Sequence, residues 1–413
     1  MRLPAALQPL EAPAFRLLWG GQAISAVGDG FVAVALAFAV LRIGGSASQL
    51  GLVLATAVVS RVAFFLVGGV WADRLPRHLV MLASDAVRAA QQLVVGVLLI
   101  TGVARVWHLI IGAAVFGVAT AFFSPATTGL LPETVAASRL QQANALMGLS
   151  RSTTSVVGPA LSGVLVALLG PGWVFVINAL TFVVSTLTLA FLRVPERLRP
   201  ARDSFMRELQ GGWHQLAIRP WYWLNLCSHA LYAFGIAAFF VLGPVIAIRH
   251  LNGASSWGLI AASLGIGSIL GGLVALRFRP SRPLVTSNLA LTLGALQLLA
   301  LIPPFPVLVI AAACVAGYGG LTFLNEVWSA AAQQLIPAEV MSRVDAYDSM
   351  LSAVALPVGF ALAGPAAAQF GTGPTLLAAA LLIAVPSLLV VAFPAIRRVH
   401  RTADGTVLEG LPA

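Results

Sequence analysis

The sequence contains no lysine; its formal charge of +10 comes from 24 arginines against 14 acidic residues. Without lysine a phosphate loop of the Gly-x-x-x-x-Gly-Lys type cannot form, which removes that class of nucleotide-driven chemistry. Cysteine is almost absent too. Cys227 and Cys314 are the only two, and both lie inside apolar runs, so neither a disulfide framework nor a cysteine metal site is implied. No His/Cys/Asp cluster has metal-ligand spacing, and no nucleophile stands beside a base in a recognisable frame. The sequence therefore reads as no enzyme, with no cofactor and no metal. Charge is the largest deficit. Only 9% of 413 residues are charged, against about 25% in soluble globular chains. The arginines do not gather on one soluble module, so the net charge does not point to nucleic acid. Exclusive use of arginine, with abundant Ala, Gly and Val, reads as the codon bias of a high-GC genome. No cleavage-like site follows a short apolar core near the N-terminus, which reads as a lead-in to an uncleaved first helix.

What is present is apolar length. The chain is 59% hydrophobic with a mean hydropathy of +0.94. A soluble fold of this size cannot hide that much apolar surface, so the lipid bilayer is its solvent. Spanning a bilayer takes about 20 apolar residues per helix. Twelve segments qualify: Ala14–Leu41, Gln49–Trp71, Leu79–Thr101, Trp107–Leu130, Ala143–Leu169, Trp173–Leu192, Trp221–Ile248, Ser256–Leu276, Leu284–Leu301, Val307–Leu335, Val344–Gln369 and Thr375–Pro394. Trp19, Trp71, Trp107, Trp173, Trp221, Trp223 and Trp257 fall near segment ends, where interfacial anchors sit.

Composition shifts between segments 6 and 7. Residues 193–219 carry six arginines with Glu196, Asp203 and Glu208. The expected organisation is an N-terminal six-helix bundle over 1–195, a cytoplasmic linker over 196–219 and a C-terminal six-helix bundle over 220–413. With both termini inside, the cytoplasmic loops and tails hold most of the arginines, and the opposite loops hold only Arg42, Arg105 and Arg249. That bias orients the protein with both termini cytoplasmic. The halves repeat weakly. Gly68-Gly69 before Arg74 corresponds to Gly271-Gly272 before Arg277, a shift of 203 positions (271 − 68).

Residues 68–78 read GGVWADRLPRH. Gly68 and Gly69 suit a close helix crossing, Pro76 stops the helix, and Asp73, Arg74 and Arg77 fall at the membrane surface. This stretch, through Gly69, Asp73, Arg74 and Arg77, resembles the signature loop between helices 2 and 3 of the major facilitator superfamily. The resemblance implies an all-α membrane protein of twelve transmembrane helices in two pseudo-symmetric six-helix bundles, with this loop acting as a conformational latch. Thr154 to Gly163, TSVVGPALSG, is similar to the antiporter signature of drug exporters at Gly158, Pro159, Ser162 and Gly163, with Thr154 in place of the leading glycine. For these residues helix packing is the favoured role, and the motif marks export. Phe122 to Ala126, Asn178 to Phe182 and Ser342-Arg343-Val344 extend the likeness towards the branch holding macrolide and enterobactin exporters. One departure stands out. Many proton-driven members place an arginine four residues before the glycine corresponding to Gly117, where this chain has Ala113.

A charge at mid-bilayer costs at least about 2.5–3.5 kcal/mol, so each one needs a reason. Asp29 and Arg61 fall near the middle of segments 1 and 2, at similar depth. They read either as an ion pair locking two helices or as a carboxylate that takes a proton when Arg61 moves away. Glu326, in segment 10, is a second proton-coupling candidate, or a partner for Arg151. Asp85 and Arg88 are one helical turn apart and read as structural partners of the loop at Asp73. His229 reads as a satisfied packing histidine. Asp345 and Asp348 read as structural or gating charges. Phe31, Phe123, Tyr232 and Glu326 are candidates for a broad apolar substrate cavity.

The resulting expectation is a secondary active exporter of small hydrophobic or amphipathic molecules, driven by proton antiport. It would be a monomer in a bacterial cytoplasmic membrane whose partners are substrate, protons and lipid. The rivals are an uptake or lipid-translocating member of the same fold and, from another class, a non-transporting membrane sensor. A sensor would carry a sizeable soluble module, and the sequence shows none.

Overall fold

The computed structural model describes residues 4–193, 219–336, 338–402 and 405–410. The chain divides into two compact units. One is Met1–Pro200 with Asn252–Ala262; the other is Ala201–Leu251 with Ser263–Ala413. Most of the expected linker, residues 196–218, lies outside the described residues, as do the side chains of Asp73, Asp345 and Asp348.

The first unit holds α1 (Pro13–Arg42), α2 (Ala47–Arg74), α3 (Arg77–Ile100), α4 (Val106–Thr134), α5 (Leu140–Leu169) and α6 (Pro171–Ala190). Local chemistry sets the ends. Ser46 caps α2 by accepting from the Gln49 amide at 3.2 Å, while the Gln49 side chain accepts from the Ser46 amide at 2.9 Å. Proline at the first position of α1 and α6 gives up an amide that has no helical partner there. α1 packs on α5 and α6, α2 on α4, and α3 on α4 and α6. Bare glycines set the closest approaches. A Cβ on Gly158 would lie 2.7 Å from the Gly30 Cα, which brings the α1 and α5 backbones together. A Cβ on Gly68 would collide with the Ala121 carbonyl of α4, whereas one on Gly69 would meet open space. Thus Gly68 alone makes the crossing that the sequence assigned to both.

The second unit holds α7 (Pro220–His250), most of α8 (Ala254–Arg277), α9 (Pro283–Leu291), α10 (Gly294–Leu299), α11 (Val307–Leu335), α12 (Ala338–Phe370), α13 (Thr372–Ala392) and α14 (Pro394–Arg397). α7 packs on α12 and α13, and α9 and α10 pack on α11 and α13. Segment 9, expected as one helix, is broken at Thr292–Leu293. Just past the break Gly294 seats the ring of Tyr232, where any side chain would strike the ring. Segment 11 begins earlier than expected, because α12 starts at Ala338. The glycine-pair pattern of the first unit recurs: Gly271 lies against Gly319 of α11 and Gly272 faces open space. Gly170 before α6 and Gly371 before α13 both take positive φ, +85° and +91°.

Two short strands, β1 (Val399–Arg401) and β2 (Val407–Glu409), form an antiparallel hairpin that the sequence did not suggest. It closes over a cluster of Trp221, Tyr222, Trp328 and Ile396. The Trp221 indole donates to Glu409 Oε2 at 3.0 Å. Trp221 is therefore buried rather than interfacial; Trp257, away from this cluster, is buried as well, while Trp71, Trp107, Trp173 and Trp223 are exposed as expected.

Among the described residues ten helices are long and apolar enough to cross a membrane, and two shorter apolar helical stretches, Pro283–Leu299 and Val354–Phe370, complete twelve. Their flanks present many exposed Leu, Val and Ile side chains, which lipid satisfies and water would not.

Candidate functional site

Asp29 does not meet Arg61. Its Oδ2 lies 3.9 Å from the Nη1 of Arg88 on α3. Arg61 is exposed on α2 and forms no ion pair among the described residues. The cause is rotation, not depth. α1 presents its buried face mainly to α5 and α6, and α2 presents its own to α4, so equal height does not bring the two side chains together.

Arg88 instead organises a buried cluster. It pairs with Asp85, one turn back on α3. The Ser185 hydroxyl donates to Asp85 Oδ2 at 2.6 Å, and Gln22 Nε2 donates to Ser185 at 3.2 Å. The guanidinium lies over the rings of Phe123 and Phe182, at 4.0 and 4.6 Å from their centroids. Asp85 is fully buried and the Arg88 side chain is 4% exposed; the Asp29 side chain is 40% exposed, so it is the member of the cluster least covered by protein. Two carboxylates thus share one cation. Among the described residues Arg88 Nε has no hydrogen-bond partner, and Asp29 has the Asn178 side chain of α6 within hydrogen-bonding reach. Asp85 and Arg88, read from sequence as supports of the Asp73 loop, belong to this cluster; the Asp73 side chain lies outside the described residues. Ala113, which stands where many proton-driven members place an arginine, is buried on α4. Asn178 of α6 lies beside Gly28, where a Cβ would collide with its side-chain oxygen.

The surface loop has a defined anchor. Arg77 donates to the Gly129 carbonyl and to Glu133 Oε1, the latter at 2.9 Å, tying the start of α3 to the end of α4. Gly129 is bare where Arg77 crosses it. Arg74 is exposed. Neither Gly129 nor Glu133 was singled out from sequence; the pairing spans 56 positions and leaves no local pattern. Nearby, Arg139 pairs with Glu11 at 3.0 Å and donates to the Gln8 carbonyl at 3.0 Å, pinning the N-terminal turn.

In α5 the exporter-like motif does packing work. Gly158 contacts Gly30, Ser162 donates to the Phe31 carbonyl at 2.6 Å, and a Cβ on Gly163 would lie 2.8 Å from Gly258 at the start of α8, in the part that belongs to this unit. Pro159 sits inside the continuous helix. Phe31 is buried and Phe123 half-buried against Arg88.

In the second unit a cavity of about 390 Å³ is lined by residues of α7, α9, α11 and α12, among them His229, Tyr232, Tyr318 and Asn325. Tyr232 is buried, and among the described residues its hydroxyl has only the Gln297 side chain within reach. His229 packs edge-on to Trp328 as expected of a packing histidine, but its Nε2 has no hydrogen-bond partner among the described residues. Glu326 is exposed on α11 and does not line this cavity.

Residues 4–405 match the family described as "Transmembrane secretion effector". Macrolide efflux protein A of Streptococcus pyogenes is 24% identical over 364 residues, covering 86% of this chain and 90% of that protein. Multidrug efflux pump Tap of Mycobacterium tuberculosis is 29% identical over 408 residues, covering 94% of each. Among solved structures, a bacterial homologue of the human lysosomal transporter Spinster superposes with a TM-score of 0.68 at 14% identity, over 93% of this chain and 96% of the other. The fold and the full-length match agree: this chain belongs to the transmembrane secretion effector family, multi-pass membrane transporters of the major facilitator superfamily.

Proposed function

We propose that this protein is a secondary active exporter of small hydrophobic or amphipathic molecules, coupled to protons through Asp29. The observation that carries the coupling is the charge count of the buried cluster: Asp29 and Asp85 against Arg88 alone. An uncompensated charge in apolar surroundings is costly. One proton on the less covered carboxylate, Asp29, cancels the excess, and releasing it restores it, which is the two-state behaviour that antiport requires. Arg88 and Asp85 act as positioning residues, held by Ser185 and Gln22. Arg61 and Glu326, which form no ion pair among the described residues, have the weaker claim.

Export is the direction supported by the relatives, one a macrolide efflux protein and the other a multidrug efflux pump. In this reading residues 1–195 and 220–413 form the two six-helix halves joined by the 196–219 linker. Gly69, Asp73, Arg74 and Arg77 form the latch, with Arg77 anchored on Glu133. The protein works as a monomer in the bacterial inner membrane, both termini cytoplasmic, and takes no nucleic acid partner.

The test uses everted membrane vesicles energised to an acid-inside pH gradient. Uptake of radiolabelled erythromycin and of a dye panel is followed with and without an uncoupler. Wild type should accumulate substrate only while the gradient stands. Asp29→Asn should lose gradient-driven accumulation while retaining equilibrium binding. Full accumulation by the variant, with substrate-induced collapse of the gradient, would make Asp29 structural.

A further inference from the structure

The two units bury the same set of positions with different chemistry. The 203-position shift that relates Gly68 to Gly271 also carries Gln22 to Asn225, Asp29 to Tyr232, Asp85 to Asn288 and Arg88 to Leu291. The structure bears out the correspondence. In the first unit Gln22, Ser185 and Asp85 are chained by hydrogen bonds. In the second, Asn288 donates to Asn225 at 2.6 Å, and Ser228 lies 3.3 Å from Ser387. The second unit thus keeps the polar lattice and discards the charges. Among its described residues the buried polar side chains, aromatic ones aside, are Asn, Ser and Gln, and none carries a charge.

Where the arginine-bearing position holds leucine, space opens. Leu291 lines the 390 Å³ cavity together with Tyr232, the counterpart of Asp29. The remaining apolar wall is Ala233, Ile236, Phe240, Leu321 and Leu356; the polar points are His229, Tyr232, Tyr318 and Asn325. Among the described residues no Asp, Glu or Arg contributes to this lining. Among the described residues His229 Nε2 lacks a hydrogen-bond partner, and the Tyr232 hydroxyl has within reach only the side chain of Gln297, the fully buried residue one turn beyond the Gly294 that seats the Tyr232 ring. Buried polar atoms in native folds are nearly always satisfied, and an unpartnered atom beside a cavity marks a place where something else satisfies it. A largely apolar wall with a few convergent hydrogen-bonding groups is the anatomy of a small-molecule site.

We propose that this cavity is a substrate subsite for the uncharged, hydroxyl- or carbonyl-bearing part of an apolar molecule, and that it does not select organic cations. The inference rests on the transporter reading above and adds to it the chemical class of the ligand. Tyr232 supplies a donor and an acceptor, Asn325 supplies both, and His229 Nε2 supplies one or the other according to its tautomer. None supplies the charge that an ammonium group requires.

The experiment measures equilibrium binding to purified, detergent-solubilised protein with no ion gradient present. The probes are tritiated estradiol, a rigid apolar body with a hydroxyl at each end, and tetraphenylphosphonium, an apolar cation. Estradiol should bind saturably. Tyr232→Phe keeps the ring on Gly294 and removes only the hydroxyl; it should weaken estradiol binding roughly three- to tenfold, the loss of one neutral hydrogen bond. Asn325→Ala should do the same, and tetraphenylphosphonium retention should be unchanged in both. Thermal melting and gel filtration confirm that the variants fold. The proposal is overturned if estradiol shows no saturable binding, if Tyr232→Phe and Asn325→Ala bind it as wild type does, or if both probes weaken together. Because no gradient is used, failure of coupling at Asp29 leaves this outcome untouched.

Discussion

Replacing Arg88 and replacing Asp85 should have very unequal effects, although the two residues pair with each other. Arg88→Met leaves Asp85, fully buried, and Asp29 without their shared cation. Removing one member of a buried pair costs about 3–5 kcal/mol, because the partner is left uncompensated. The cation–π contacts over Phe123 and Phe182 are lost as well, worth up to about 2 kcal/mol when desolvated, though the methionine thioether recovers part of that against the rings. Asp85→Asn works in the opposite direction. It leaves Arg88 with Asp29 at 3.9 Å and brings the cluster to neutrality. What it loses is the charged character of the bonds from Arg88 and Ser185. Side-chain hydrogen bonds inside membrane proteins average about 0.6 kcal/mol and reach about 1.7, so the expected cost is about 1 kcal/mol. The double variant should recover much of the single Arg88→Met loss, with a coupling of about 2 kcal/mol. Reversible unfolding by sodium dodecyl sulfate in mixed micelles, followed by far-ultraviolet circular dichroism, reads all three. If Arg88→Met lies within about 1 kcal/mol of wild type, or if Asp85→Asn costs more than Arg88→Met, the charge count is wrong and the proton argument built on it falls.

Gly68→Val should destabilise by about 1–3 kcal/mol through overpacking against the Ala121 carbonyl, while Gly69→Val stays within about 0.5 kcal/mol; thermal melts of the two side by side separate them. Arg77→Ala and Glu133→Gln should each slow transport in the vesicle assay at normal expression, and wild-type turnover in both would remove the latch role of the Arg77 anchor. Glu409→Gln weakens the charge-assisted bond from Trp221 and should cost about 1 kcal/mol, seen as faster proteolytic trimming of the C-terminal hairpin; unchanged trimming would mean that the apolar cluster alone holds it.

The twelve segments were legible because bilayer thickness imposes a length and a composition, and both are written along one dimension. What was not legible is the rotation of each helix about its axis. In a soluble helix the apolar stripe marks the buried face, but in a bilayer the outer face is as apolar as the inner one. Sequence could therefore place Asp29 and Arg61 at one depth, yet it could not show that α1 turns Asp29 towards Arg88. The same loss of azimuth explains Gly69, which has the composition of a crossing residue and faces open space, and Trp221, which sits at a helix end and is buried by the hairpin. Glu133 was missed for a different reason. Its partner lies 56 positions away, and nothing local marks a glutamate near a helix end as an anchor.

The internal repeat supplies part of the missing dimension. Two stretches that descend from one arrangement bury equivalent faces, so a residue whose orientation is fixed in one unit fixes its counterpart in the other. Gln22, Ser185 and Asp85 form a bonded chain, so Asn225 and Asn288, the counterparts of Gln22 and Asp85, had to face inward too, and they do; Ser387, one position short of the same shift from Ser185, is buried as well. Substitutions within that shared face are then the informative ones, because packing alone does not require them. Arginine to leucine and aspartate to tyrosine both remove charge, and both occur on the same side of the second unit, where the cavity is. A charged cluster in one repeat and a neutral, hydrogen-bonding cavity at the equivalent place in the other is the arrangement expected if one repeat handles protons and the other handles the uncharged part of the cargo. Restoring charge to the second unit, for example with Leu291→Arg, should therefore abolish binding of the neutral probe while leaving the Asp29 cluster intact.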